Sequence, residues 1–105
     1  MTAEQPSLGD VIAALLDEAG DIEAPISREY AREGVAFFAR PAENEVEIRL
    51  GDEIAEAALR TPDTTASPRG PAWVRFAPPT WDEFAFDRVE AWFRVAWRMA
   101  AKGKR

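Results

Sequence analysis

The chain has 105 residues, enough for one domain with a single modest core. Hydrophobic residues make up 47% and charged residues 30%, with a net charge of −6, a globular rather than a disordered balance. Cysteine and histidine are both absent, which excludes disulfides, thiolate metal sites and thiol nucleophiles and removes the commonest general base and metal ligand.

The first element is "PSLGDVIAALLDEAG". Ser7 followed three residues later by Asp10 forms a capping box with a shortened acid, and Leu8, Ile12, Leu15 and Ala19 share one face, so a helix is expected over 8–19, stopped by Gly20. In "DIEAPISREYAREG", Pro25 opposes helix, while Ile26, Arg28, Tyr30 and Arg32 alternate onto one side opposite Ser27, Glu29 and Ala31. Either a short strand or an irregular arm fits. "GVAFFAR" and "EVEIRL" then read as a hairpin joined by the four residues "PAEN". The first is apolar nearly throughout, as a central strand would be; the second turns Val46, Ile48 and Leu50 inward and Glu45, Glu47 and Arg49 outward.

"GDEIAEAALRTP" predicts a short helix with Asp52 as N-cap and Pro62 as its stop. The stretch "TPDTTASPRGPAW" predicts a stiff crossover into the strand "AWVRF", which Pro78 ends. Its single glycine and three prolines leave too few backbone donors for a phosphate cradle. The last element is a helix over about 81–102 with Thr80 and Glu83 as capping box. Its apolar arc holds Phe86, Val89, Trp92, Phe93, Ala96, Trp97, Met99 and Ala100. Asp82 and Glu83 lie near its positive end, Arg98 and Lys102 near its negative end, and Glu90 is spaced to pair with Arg94. Residues 1–6 and 103–105 read as frayed tails.

The expected fold is therefore a single α+β domain with an antiparallel sheet of four to five strands and helices mainly on one face, in the order α-β(2–3)-α-β-α. The N-terminus lacks the pattern of a signal peptide and no window reaches a bilayer's apolar span, so a cytoplasmic protein that does not engage a membrane is expected.

The segments "EVEIRLGDEIAEAALR", "AWVRF" and "AWFRVAWRMA", within roughly residues 35–100, resemble the small YjbR/MmcQ-like family and the bacterial luciferase-domain proteins. The resemblance implies an α–β(3)–α–β(2)–α fold similar to type III secretion chaperones, and favours a strand at 26–32. YjbR-like domains have been suspected of binding DNA on structural analogy. The resemblance carries over no active-site residue, and this chain lacks the histidines of the luciferase-domain relatives.

Charge is unevenly spread. Residues 1–56 hold fourteen acids against four bases, and residues 57–105 hold five acids against nine bases, which marks either a steering surface or helix-end chemistry. The overall acidity argues against nucleic-acid binding. Asp17, Glu18, Asp21 and Glu23 cluster without any calcium-loop spacing, so neither metal nor cofactor is expected.

Two sets of residues are candidates for an anionic ligand: Arg69 and Ser67 beside Trp73 in the loop, and Arg28 with Tyr30 on the doubtful strand. In each set the arginine can equally pair with neighbouring acids. Trp81, Trp92 and Trp97 either seal the core's edges or line an interface with a partner or a second copy. The expected function is a non-enzymatic interaction module using the aromatic margin of the last helix; the alternative is a small-ligand or anion-binding domain using the loop Thr61–Trp73.

Overall fold

A computed structural model of the chain describes residues 7–26 and 28–103. Ser7 Oγ accepts from the Asp10 N–H at 3.1 Å while the Asp10 carboxylate accepts from the Ser7 N–H at 3.2 Å, so the shortened capping box closes in full. Helix α1, Leu8–Ala19, follows from it and buries Leu8, Val11, Ile12 and Leu15. Gly20, at φ 71°, ends it.

The segment weighed between arm and strand is two strands, β1 (Glu23–Ile26) and β2 (Glu29–Arg32). Arg28, placed on a strand face by its spacing, instead sits in the turn between them at φ 68°. Ser27 lies outside the described residues, as do the tails 1–6 and 104–105. Glu33 and Gly34, both at positive φ, then turn the chain into β3 (Val35–Ala42), as a two-residue hairpin loop requires. The loop of four residues expected next is shorter, because β3 runs on through Pro41 and Ala42, which pairs with Glu45 at the start of β4 (Glu45–Arg49).

Helix α2, Asp52–Ala58, has Gly51 rather than Asp52 as its N-cap, with no side-chain capping bond. The crossover contains a strand of its own, β5 (Thr64–Ala66), which pairs antiparallel with β6 (Trp73–Phe76). Helix α3 spans Glu83–Gly103. Its cap is Asp82, not Thr80: Asp82 Oδ1 accepts from the Ala85 N–H at 2.9 Å, and its carbonyl accepts from the Phe86 N–H.

The result is one antiparallel sheet of six strands, ordered β1-β2-β3-β4-β6-β5, instead of four or five. The two extra strands are its edges. One includes Pro25 and the other lies in a proline-rich loop, so neither carried the alternation that marks a strand. β3 is an interior strand, as its apolar sequence predicts.

Val46, Ile48, Val74 and Phe76 turn to the helices and are buried with Phe38 in a core shared with all three of them. A bulge between Tyr30 and Ala31 leaves Phe37 as an extra residue on β3. Phe37 and Phe38 therefore both set edge-on to Phe93 of α3, at 5.4 and 5.1 Å between ring centroids.

Candidate functional site

The helix-free face of the sheet carries a cross-strand row: Glu29 of β2 opposite Ala39 of β3, Ala39 opposite Glu47 of β4, then Arg75 of β6 and Thr65 of β5. Glu47 is a polar residue of this row that is almost fully buried, at 4% exposure. A buried carboxylate needs compensating donors, and the loop between β5 and β6 supplies them. Ser67 Oγ donates to Glu47 Oε2 at 2.9 Å, and Arg69 Nε donates to Glu47 Oε1 at 2.7 Å. Arg69 then reaches on across the sheet, and its Nη1 pairs with Glu29 Oε2 at 2.6 Å. These carboxylates, the Glu47 hydrogen bond foremost, raise the Arg69 pKa above its ordinary value, so its charge is fixed at every working pH. Beside them on the row, Arg75 pairs with Glu45.

Arg69, Ser67 and Trp73 are thus brought together, with the guanidinium 5.1 Å from the Trp73 ring centroid. The sequence could not show that Glu47 is what joins Ser67 to Arg69, since its alternation reads the same for any outward strand acid. The Ser67 hydroxyl donates to the Glu47 carboxylate, accepts from the Arg69 N–H and is buried.

Arg28 and Tyr30 are not brought together. Arg28 is exposed in its turn, whereas Tyr30 packs toward the helices with its ring 6.1 Å from Phe38. The acids near the end of α1 disperse: Glu18 pairs with Arg94 at 3.3 Å, and Glu23 accepts from the Gly34 N–H. Among the described residues no three carboxylates gather where a metal ion could sit, and no helix is long and apolar enough to cross a membrane.

The tryptophans separate by their indole N–H groups. Trp81 donates to the Asn44 carbonyl at 3.1 Å and stacks on Phe86; Trp97 donates to the Gly20 carbonyl at 3.2 Å beneath Arg32. Both bonds close seams between elements, although one side of Trp97 also borders a groove of about 270 Å³ with Glu18, Ala19 and Arg94. Trp92 sets edge-on to Phe76 and lines a groove of about 340 Å³ between α2 and α3, with Ile54, Ala57, Thr61 and Arg88.

On the other flank of α2 a groove of about 410 Å³ is floored by Ala55, Leu59, Ala66, Pro71 and Trp73 and rimmed by Asp52 and Glu56. A further groove, of about 230 Å³, shares Arg88 with the one lined by Trp92 and includes Asp63, Asp82 and Phe84. The α2 end of the molecule is therefore furrowed, with acids at the rim of the groove beside β5 and β6 and Arg88 between the other two. In comparisons with known protein families, curated proteins and solved structures, the chain matches none.

Proposed function

We propose that this domain is a non-enzymatic interaction module that docks a protein partner on the surface around α2 and the start of α3. One observation carries the reading. Among the described residues the large hydrophobic side chains left in water are Ile54, Leu59 and Phe84, at 41%, 44% and 76% exposure, and all three belong to this end of the molecule. Ile54 and Phe84 border grooves that meet at Arg88, with Trp92 in the first of them. The surface thus adds α2 to the aromatic margin of the last helix, and Trp92 is the margin tryptophan that supports it. Binding of an anion by the loop Thr61–Trp73 is the weaker reading, because Arg69 would have to leave both Glu47 and Glu29 to meet it.

Kinship with the YjbR/MmcQ-like family remains part of the proposal. The element order, with one strand more before α2 than the α–β(3)–α–β(2)–α arrangement, is what supports it.

The test is site-specific photocrosslinking in cells, with a photoreactive phenylalanine at position 84 and, as control, at position 43 in the exposed β3–β4 turn. A discrete adduct at 84 that disappears in Ile54→Asp, with no equivalent at 43, is the expected result. Adducts that are the same from both positions, or indifferent to Ile54→Asp, would reject the reading.

A further inference from the structure

We infer that the partner presents a basic segment with apolar anchors, one apolar side chain seated in the groove between α2 and the β5–β6 loop and its lysines or arginines set against Asp52 and Glu56. This rests on the reading of the domain as a partner-binding module, and it adds the partner's chemistry. The groove offers Leu59, Pro71 and Trp73 as an apolar floor, with Leu59 still 44% exposed, so burying it is favourable.

The charge around it is what selects the occupant. Asp52, Glu53 and Glu56 on α2 are all exposed, as are Asp63 and Asp82 in the groove at the start of α3, where the exposed Arg88 offsets part of their charge. None of them takes part in an ion pair among the described residues. The arginines that form ion pairs, Arg40, Arg69, Arg75 and Arg94, pair with Glu43, Glu29, Glu47, Glu45, Glu18 and Glu90, away from α2. The acids on the rest of the protein are thus often answered internally, whereas those on α2 are left to solvent.

Such a surface attracts a cationic segment and repels an acidic one. A second copy docking by the same surface would bring the two acidic rims face to face, which disfavours a symmetric contact. The backbone adds a further handle. The Ala77 N–H donates to the Asp63 carbonyl, so by alternation the main chain of Thr65 turns inward to Arg75 and the exposed Ala66, at the groove wall, turns its N–H and C=O to the open edge of the sheet. A ligand chain passing along the groove can take up both groups.

The probes are fluorescein-labelled twelve-residue peptides alternating leucine with lysine, leucine with glutamate, and serine with lysine, titrated by fluorescence anisotropy. The leucine–lysine peptide is expected to bind saturably, with affinity falling as salt rises. The other two are expected to bind at least about tenfold more weakly. The Asp52→Lys/Glu56→Lys double variant is expected to lose about tenfold, whereas Glu33→Lys, a charge reversal in the distant β2–β3 turn, leaves affinity near wild type. Leu59→Ser separates apolar seating from bulk attraction and is expected to weaken the leucine–lysine peptide but not the serine–lysine one.

Equal binding of the lysine and glutamate peptides, equal losses at positions 33 and 56, or a symmetric dimer through α2 in sedimentation equilibrium would overturn the inference. So would an absence of peptide binding while the crosslink at position 84 still depends on Ile54, a result that leaves the partner-binding reading standing without this chemistry.

Discussion

Arg32 lays its guanidinium 3.5 Å from the centroid of the Trp97 ring and donates from Nη1 to that residue's own main-chain oxygen at 2.9 Å. Trp97 in turn donates to Gly20, so one side chain of α3 ties β2 to the end of α1. The contact has a cost, because Arg32 Nε is buried without a partner. Arg32→Ala should destabilise the domain by about 1–3 kcal/mol in urea unfolding, through the lost stack and the lost bond to a carbonyl. Arg32→Lys should recover less than half of this, since an ammonium cannot lie flat on the indole. Arg32→Met should recover more than lysine, keeping the stem and deleting the orphan donor. Full rescue by lysine would show that charge, not planarity, is what matters.

The Glu47–Arg69 pair fastens a proline-rich loop to the open face of the sheet, and its two members should respond unequally. Arg69→Ala leaves a nearly buried carboxylate with Ser67 as its remaining side-chain donor, and should cost about 1–3 kcal/mol, below a fully buried pair because a third of the Arg69 side chain is in water. Glu47→Leu with Arg69→Met removes both charges and should lie within about 1 kcal/mol of wild type. A double-mutant cycle from chemical denaturation checks the difference. If the double variant is as unstable as Arg69→Ala, the loop is held by the arginine's packing and its Glu29 contact rather than by Glu47.

The sequence made α1, α3, the central hairpin and the inward set of β4 legible because each repeats its apolar residues at the period of its element. The edges were not legible. β1 carries a proline and β5 has three residues inside a loop, too short for any period to register. Of the candidate site, Arg69, Ser67 and Trp73 were recognisable from their loop chemistry, but Glu47, the common partner of Ser67 and Arg69, lies about twenty residues upstream and reads like any solvated strand acid. The exposed Ile54 and Leu59 were hidden for the opposite reason: a short helix offers both as part of its apolar side, and only the packing shows that they were left outside.

The start of α3 offers a choice between two caps two residues apart in the sequence. Thr80 with Glu83 matches the capping-box spacing, yet it is Asp82 whose carboxylate meets the Ala85 N–H. Asp82→Ala should therefore cost about 1 kcal/mol, and Thr80→Ala should stay within about 0.5 kcal/mol of wild type. Thermal melts of the two variants decide it, and the reverse order would restore Thr80 as the cap.

Gly51 joins β4 to α2 at φ 86° and ψ 157°, a backbone region that side chains other than glycine scarcely enter. A Cβ there would also fall 2.6 Å from Met99 Cε, the end of a flexible side chain on α3. Gly51→Ala should thus destabilise by about 1–3 kcal/mol, from two separable sources. The backbone part is immune to any change at position 99, whereas the steric part vanishes when the methionine is shortened. In a Met99→Ala background the cost of Gly51→Ala should fall only slightly, because a methionine swings aside at little expense. A cost that disappears in that background would locate the whole effect in the side-chain clash and leave the backbone angle without consequence.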